Sequence, residues 1–272
     1  MPERRLALVT GAAGGIGREV SFRLASRGYT VLAVERNQDL ADTAAAAIGA
    51  TTIAVACDLT DRDAVAALSG RIEKEWAAEL ELVVLNAGVI VPGDVAGSSA
   101  DVLRRQLDVM LGSVMELAAA SARAFLPSRS GHILATVSTG GILALPGSAA
   151  YSAAKAGLRA FLAALSAELR GTGVAVSGIY PSAVDTPMLL HEATHGGSLL
   201  NFVGKVSSVQ SVADRYDRAL RTRRLETFVP YSDSLLVRFL ECVPWVVPWL
   251  LGPMNFLGRR GRTKYLAAKG LE

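Results

Sequence analysis

Short apolar runs recur along the chain, and each is followed by a longer segment whose apolar positions have helical spacing. The strand-like runs lie at 6–9, 30–34, 52–57, 82–85, 133–137, 174–179 and 227–229. They are nearly continuously apolar rather than alternating, which is typical of parallel strands that are covered on both faces. The repeated order of strand and helix therefore predicts an α/β fold, a doubly wound parallel sheet of about seven strands with helices on both faces.

The sequence contains few features that would mark a boundary between domains. No linker-like segment interrupts the pattern, so residues 1–234 are predicted to form a single domain. Within it, residues 188–212 contain paired glycines and are predicted to form a substrate loop or lid. Residues 235–272 differ in composition and are predicted to be an apolar and basic extension, largely helical. Its prolines are predicted to break the apolar run too early for a membrane-spanning helix; they are Pro244, Pro248 and Pro253.

Composition narrows the possible functions. The 272 residues are 51% hydrophobic and 19% charged, which is enough apolar material for a core and too little charge for a disordered chain. The net charge of +3 does not favour a nucleic-acid partner. Cys57 and Cys242 lack metal-type spacing, which favours ordinary thiols and a cytoplasmic location. His191 and His195 lack a third ligand nearby, so no metal site is predicted.

A glycine-rich turn, TGAAGGIG at 10–17, follows the first strand-like run and precedes the first helix. Glycines let the backbone approach a pyrophosphate closely, and the helix N-terminus offers free N–H groups to it. A plain turn would have the same composition, but this position in a Rossmann-type fold favours a dinucleotide site. The predicted contacts here are Gly11, Gly15, Ile16 and Gly17.

The residues that follow the second and third strands indicate which dinucleotide binds. Glu35 can accept a hydrogen bond from the ribose 2′-hydroxyl of NAD and would repel the 2′-phosphate of NADP. Arg36 could instead accept that phosphate, so NAD is favoured and NADP remains possible. Asp58, beside Leu59, could bind the adenine amino group, or cap the next helix. The end of the fourth strand is predicted to line the same crevice, with Asn86, Ala87 and Gly88.

Three polar residues near the fifth strand suit proton transfer. Tyr151 and Lys155 lie one helical turn apart, and a lysine ammonium favours the phenolate of a nearby tyrosine. Tyr151 could then exchange a proton with an alcohol or a carbonyl group. Ser138, at the end of the fifth strand, could hold the substrate oxygen. Each residue alone would have an ordinary structural explanation, but their joint position at one sheet edge favours catalysis.

Taken in order, these motifs resemble those of the short-chain dehydrogenase/reductase family over residues 5–190. The matching segments are TGAAGGIG at 10–17, DLT at 58–60, NAG at 86–88, Ser138, YSAAK at 151–155 and YPSAVDTPM at 180–188. The resemblance implies that Ser138, Tyr151 and Lys155 are catalytic and that Lys155 also binds the nicotinamide ribose. It further implies nicotinamide contacts in the last motif, at Pro181, Val184 and Thr186, and a homodimer or homotetramer.

The chain departs from the family pattern at one informative position. The family usually has an asparagine on the helix before the fifth strand, where it bends the helix and holds a water beside the lysine. The matching stretch here carries Met110, and no asparagine occurs from 87 to 200. Proton exchange by another route and low activity are both consistent with this change.

The extension bears on substrate and location. Trp245 and Trp249 lie in an uncharged segment that a basic cluster follows at 259–264. A pair of helices packed over the pocket or a subunit interface, and an interfacial segment on a membrane through 235–264, both fit this composition. Either way the substrate is expected to be apolar and bulky, such as a steroid, a retinoid-like molecule or a long-chain alcohol or ketone.

Three functions therefore remain for the chain, and the third of them is a peripheral membrane protein whose fold is merely inherited. The first is an NAD(P)-dependent oxidoreductase that transfers a hydride between nicotinamide and an alcohol or carbonyl group. The second is a dinucleotide-binding sensor or scaffold with little catalysis, which Met110 favours and the three catalytic-type residues oppose.

Overall fold

A seven-stranded parallel sheet forms the centre of the molecule. The computed structural model describes residues 4–271, except the side chain at 233. The strands are β1 (Leu6–Thr10), β2 (Thr30–Glu35), β3 (Thr52–Ala56), β4 (Leu80–Leu85), β5 (Gly131–Thr136), β6 (Val174–Pro181) and β7 (Glu226–Val229). Their order in the sheet is β3-β2-β1-β4-β5-β6-β7, and every pairing is parallel. The predicted doubly wound fold is confirmed.

Helices cover both faces of this sheet. They are α1 (Gly15–Ala25), α2 (Gln38–Ile48), α3 (Arg62–Lys74), α4 (Ala100–Leu107), α5 (Ser113–Phe125), α6 (Ala149–Glu168), α7 (Pro187–Thr194), α8 (Val209–Thr222), α9 (Tyr231–Cys242) and α10 (Val247–Ala268). Helices α3, α5 and α6 bury their apolar sides in one core, and α1, α2 and α8 in the other. Successive strand residues alternate between the two cores, since Leu6 and Leu8 belong to the first and Ala7 and Val9 to the second. This double burial explains the unbroken apolar runs.

The helix predicted at 99–125 has an irregular turn in its middle. The side chain of Ser99 caps α4 by accepting from the N–H of Val102. A π-helical turn, Asp108–Gly112, then separates α4 from α5. Met110 lies in this turn and is fully buried. The irregular turn therefore exists with a methionine at its centre.

The segment predicted as a loop at 188–212 contains helices instead. Thr186 caps α7, with Pro187 in its first turn, and a short 3-10 helix, Leu199–Phe202, follows. Helix α8 already begins at Val209. The prediction of a continuous loop was wrong, because a threonine cap followed by proline is a helix start signal.

The extension forms two helices that meet at a sharp bend. Among the described residues no single helix combines the length and apolarity needed to cross a membrane, but the pair Ser234–Cys242 and Pro244–Ala268, bent by 99°, meets both conditions together. Helix α10 runs through Pro253, which corrects the prediction that this proline breaks the segment. Proline removes the hydrogen bond to the carbonyl group four residues earlier. That residue is Trp249, which is exposed, so water can satisfy its carbonyl group.

Candidate dinucleotide and catalytic site

A cavity of about 540 Å³ opens at the carboxyl edge of the sheet. The strand order reverses between β1 and β4, which is where open α/β sheets bind ligands. The predicted site residues that line this cavity are Gly11, Gly15, Ile16, Glu35, Arg36, Asp58, Leu59, Asn86, Ala87, Gly88, Ser138, Tyr151, Lys155, Pro181, Val184 and Thr186. Gly17 does not line it and is buried within α1. Residues far apart in sequence thus share one space.

The glycine-rich turn at 10–17 leaves the N-terminus of α1 uncapped. No side chain caps this helix at Gly14, and its first turn carries no acidic residue. Gly11 has φ +68°, and a Cβ there would lie 2.9 Å from the Cα of Ala87. A Cβ on Gly17 would overlap the carbonyl oxygen of Gly11. The turn therefore needs glycine, and it presents backbone N–H groups and the positive end of the helix dipole to an anion such as a pyrophosphate.

An acidic and a basic side chain flank the cavity beyond this turn. Glu35 ends β2, and its Oε1 accepts a hydrogen bond of 2.7 Å from the N–H of Ala13. The carboxylate therefore holds the glycine-rich turn while it faces the cavity. Arg36 lines the same wall and is exposed. A ribose hydroxyl would find an acceptor here, and a 2′-phosphate would meet both charges.

Asp58 closes a turn after β3 rather than capping a helix. Its Oδ1 accepts from the N–H of Thr60 at 2.9 Å and from the Thr60 hydroxyl at 2.8 Å. Helix α3 is capped by Asp61, which accepts from the N–H groups of Asp63 and Ala64. The alternative prediction of Asp58 as a helix cap was wrong, because the helix begins further along the chain.

Asn86 joins three strands. Its side-chain nitrogen donates to the carbonyl groups of Thr10 and Gly11, both at 3.3 Å, and its oxygen accepts from the hydroxyl of Thr136 at 2.8 Å. The Thr136 hydroxyl also shares a hydrogen bond with Tyr216 on α8. The side chain predicted to bind the dinucleotide thus fixes the relative positions of β1, β4 and β5, which carry the rest of the site.

The three catalytic-type side chains converge where β5 ends. Ser138 follows the strand and accepts a hydrogen bond of 2.9 Å from the N–H of Gly140. Tyr151 and Lys155 project from the first two turns of α6. A Cβ on Gly140 would lie 3.3 Å from the Ser138 oxygen and 3.4 Å from Cε1 of Tyr151. The serine and tyrosine side chains therefore both lie beside Gly140.

Lys155 is buried, and the backbone holds its ammonium group. Its Nζ donates to the carbonyl oxygen of Thr136 at 2.7 Å and lies 5.8 Å from the centroid of the Tyr151 ring. Burial lowers the pKa of Lys155 to about 8. The same residue Thr136 therefore connects the lysine, through its carbonyl group, to Asn86, through its hydroxyl.

Burial also controls Tyr151. It raises the pKa of Tyr151 to about 12, against the hydrogen bond from Ser138, which lowers it, while the charge of Glu192 raises it further. The sequence predicted a pKa lowered by Lys155. In the protein alone the structure gives the opposite direction. Removing the phenolate from water costs more free energy than its interactions with neighbouring residues recover. Tyr151 is therefore protonated at neutral pH.

The predicted nicotinamide contacts lie between β6 and α7. Thr186 donates to the carbonyl group of Val184 at 3.2 Å and accepts from the N–H of Leu189 as the helix cap. A Cβ on Gly15 would lie 2.9 Å from Cγ2 of Thr186. Pro181 ends β6 on the same wall. This segment thus closes over the glycine-rich turn from the opposite side of the cavity.

Sequence reasoning missed one ionisable residue of the cavity, Glu192. It lies on α7, is only 6% exposed, and accepts a hydrogen bond of 2.9 Å from the side chain of Asn201. Burial raises the pKa of its carboxyl group to about 7, although the bond from Asn201 lowers it. Both residues line the cavity. The predicted loop hid this signal, since a glutamate in a loop is expected to face solvent.

The histidines of the same segment lie away from the cavity. His191 and His195 are exposed, their ring centroids are 4.2 Å apart, and neither lines the cavity. Within residues 4–271, no group of three or more side chains that could hold a metal ion is found.

Comparison with known proteins identifies the family. The family model described as short chain dehydrogenase matches residues 5–195. An uncharacterized oxidoreductase of Myxococcus xanthus is 37% identical over 80% of this chain and 90% of its own length. The 3-oxoacyl-(acyl-carrier-protein) reductase FabG of Escherichia coli is 29% identical over 78% of this chain and 88% of its own.

A solved structure has the same architecture. The short-chain dehydrogenase from Sphingobium yanoikuyae, in complex with NADPH, superposes with a TM-score of 0.77 at 26% identity, over 89% of this chain and 94% of its own. The predicted resemblance is thereby confirmed. The chain belongs to the short-chain dehydrogenase/reductase family of NAD(P)-binding oxidoreductases.

Proposed function

We propose that the protein is an alcohol dehydrogenase or carbonyl reductase that uses Ser138, Tyr151 and Lys155 as its catalytic residues. The observation that supports this most directly is the cluster of Ser138, Tyr151 and Lys155 in one cavity, with the first two side chains beside Gly140. It lies in the same cavity as the uncapped N-terminus of α1. Few structural roles require a half-buried phenol, a buried amine and a hydroxyl beside a dinucleotide-binding turn.

The residues present fit a nicotinamide dinucleotide. Its pyrophosphate would bind the N–H groups of Gly15 and Ile16, and its nicotinamide half would lie between Thr186 and Lys155. When bound, the nicotinamide supplies or accepts the hydride. Lys155 would donate to the ribose hydroxyls from the position that the Thr136 carbonyl group fixes.

Tyr151 and Ser138 handle the substrate oxygen in this mechanism. In carbonyl reduction, the phenol of Tyr151 donates its proton to that oxygen, and the Ser138 hydroxyl donates a hydrogen bond to it. In alcohol oxidation, Tyr151 accepts the proton instead and must first ionise. Because burial raises the pKa of Tyr151, this side chain is suited to donate a proton, as carbonyl reduction requires. The positive charge of Lys155 favours the phenolate and so supports alcohol oxidation.

An apolar, bulky substrate suits the remainder of the cavity. Besides the catalytic-type residues and the polar pair Glu192 and Asn201, the lining of the cavity includes several apolar side chains: Val89, Val109, Leu145, Met188 and Leu189. Ligand sites of this kind bind largely apolar molecules and use a few polar groups for orientation. A steroid, retinoid-like or long-chain alcohol or ketone fits this description.

Substitution of Tyr151 tests the enzymatic function. Tyr151→Phe keeps the ring but removes the proton, so turnover of bulky ketones with a reduced dinucleotide should fall by about 10² to 10⁴. Dinucleotide affinity, measured by titration, should change little. Tyr29→Phe is the matched control, because Tyr29 lies at the amino end of β2, bonded to Glu81, and should keep full activity. Equal turnover in wild type and Tyr151→Phe would refute the proposal.

The alternative of a dinucleotide-binding sensor makes a different prediction in the same experiment. The buried Met110 favours it, because this side chain cannot hold the water that the family's asparagine binds. A sensor would bind the dinucleotide and leave the whole panel of ketones and alcohols unchanged. The proposed homodimer or homotetramer and the proposed cytoplasmic location are equally compatible with an enzyme and with a sensor.

NAD is the proposed cofactor, because Glu35 presents a carboxylate to the ribose side of the cavity while it holds Ala13. Replacing Glu35 by serine should lower the Kd for NADPH by about tenfold or more, since a nearby negative charge is removed and Arg36 remains. The Kd for NADH should rise. Isothermal titration of both dinucleotides with wild type and Glu35→Ser measures this, and a wild-type preference for NADPH would contradict the assignment.

A further inference from the structure

An exposed apolar surface lies on the two C-terminal helices. Trp249 is 83% exposed and Trp245 is 68% exposed. Trp249 and Phe256 lie seven residues apart and so share one face of α10. On α9, Leu235 and Phe239 are exposed at the i, i+4 spacing. A short turn that carries Trp245 joins the two helices. The exposed apolar residues of this bent pair are here called the aromatic surface (Leu235, Leu236, Phe239, Trp245, Trp249, Phe256 and Leu257).

Positive charge borders the aromatic surface on α10. The residues are Arg259, Arg260, Arg262 and Lys264, and the sequence has no acidic residue from 242 to 271. The guanidinium group of Arg260 lies over the ring of Phe256, 4.4 Å from its centroid. Within the described part of the chain, no salt bridge is found for these four cations. Arg259, Arg260 and Lys264 are exposed, as are Trp249 and Phe256, whereas Arg262 is half-buried.

The opposite face of α10 is fixed to the body of the protein. Gly258 and Gly261 let the helix backbone approach the segment Leu199–Phe202 so closely that a Cβ would overlap its carbonyl groups. Tyr265 packs on Phe202 with ring centroids 5.6 Å apart and donates to Asp185 at 2.9 Å. One face of the helix is thus anchored, and the other presents tryptophan and arginine to the surroundings.

We propose that the aromatic surface and its basic border bind the surface of an anionic lipid bilayer. Tryptophan is favoured at the membrane interface because its ring is apolar and its N–H is polar, and each nearby arginine or lysine adds attraction to anionic headgroups. Because one face of α10 is packed against the body of the protein, the pair would lie along the interface rather than cross the bilayer. The proposal does not depend on the chemistry assigned to the cavity.

Charge distinguishes a lipid surface from a second copy of this chain. A symmetric contact would place the same patch on both partners. It would bring the cations of one α10 to the same helix of the partner, which offers no acidic residue from 242 to 271. Anionic headgroups complement both parts of the patch. A lipid partner therefore fits the residues better than self-association.

The position of the aromatic surface relative to the cavity connects membrane binding with substrate entry. The segment Leu199–Phe202 seats α10 on one side and contributes Asn201 to the cavity on the other. An apolar substrate dissolved in the bilayer would enter the protein near the place where it docks.

Vesicle binding tests the proposal with the full chain. Co-sedimentation is measured with phosphatidylcholine vesicles, with and without phosphatidylglycerol. Binding should require phosphatidylglycerol and weaken as salt rises. Trp249→Ala should weaken it about tenfold or more, because an aromatic interfacial anchor is lost. Phe22→Ala is the matched control, since Phe22 is also exposed, at 53%, but lies on α1.

A second pair of measurements separates insertion from adsorption and from self-association. Bromine-labelled lipids should quench the fluorescence of Trp245 and Trp249, while the buried Trp76 stays unquenched in the double variant Trp245→Phe/Trp249→Phe. Arg259→Glu/Arg260→Glu should remove the preference for phosphatidylglycerol. Absence of vesicle binding, or equal binding by Trp249→Ala, would overturn the proposal. So would an oligomer that Trp249→Ala dissociates while vesicles fail to bind.

Discussion

Tyr151, Lys155 and Glu192 lie in one cavity. Burial shifts the pKa of each side chain in the direction that favours its neutral form. The pKa values are about 12, 8 and 7. Lys155 is partly neutral above pH 8, and Tyr151 keeps its proton throughout the neutral range. Glu192 therefore changes its charge near pH 7, and its negative form opposes ionisation of Tyr151. A residue that the sequence did not single out influences the central acid of the site.

Replacing Glu192 by glutamine should stabilise the protein in a pH-dependent way. A carboxyl group whose folded pKa is raised from 4.5 to about 7 destabilises the folded state as pH rises through this range, because the unfolded chain releases its proton first. The gain from Glu192→Gln should be below about 1 kcal/mol at pH 5 and reach roughly 3 kcal/mol above pH 7. Urea unfolding at both pH values measures it.

The control for this prediction is Glu79→Gln, which replaces a half-buried glutamate on the turn before β4, outside the cavity. The same Glu192 variant should shift the alkaline rise of alcohol oxidation to lower pH, because one negative charge near Tyr151 is gone. A stability gain of equal size at pH 5 and pH 8 would show that the carboxyl group does not titrate in this window.

At the scale of elements, the strands were predictable and the irregular helices were not. Continuous burial of strands such as Leu6–Thr10 leaves a nearly unbroken apolar run in the sequence. The π-helical turn Asp108–Gly112 has no such signal, because its residues have ordinary helical composition. The segment after β6 was mistaken for a loop because its glycines outweighed the cap at Thr186. The site followed the strands: motifs at strand ends were found, and Glu192 on α7 was not.

The π-helical turn gives a prediction about Met110. Met110→Asn introduces an amide into a fully buried site and leaves a void, so it should destabilise the fold by about 2–4 kcal/mol. Met110→Leu nearly conserves volume and should cost less than about 1.5 kcal/mol. Denaturant unfolding measures both. If Met110→Asn matched wild-type stability, the turn would already hold a polar partner, and its turnover would then report whether proton exchange passes through this helix.

At the scale of the whole molecule, the residues that the family model matches end before the C-terminal extension begins. The match covers residues 5–195 and so includes the cavity up to Glu192, whereas α9 and α10 lie beyond it. Composition alone predicted a helical extension but left its exposed face undecided. That face depends on which side of α10 carries Gly258 and Gly261, and packing against Leu199–Phe202 determines it.

The glycine contact between α10 and this segment constrains how the C-terminal region can be studied or engineered. Shortening the chain before Val247 would strip cover from Leu199 and Phe202 and free Asp185 from Tyr265 and Lys269. The segment that carries Asn201 would then lose its packing partner, and a shortened protein could become inactive for reasons unrelated to where it resides in the cell. Single replacements of outward-facing residues leave this packing intact, so they separate the support of the cavity by α10 from the contacts of its exposed face.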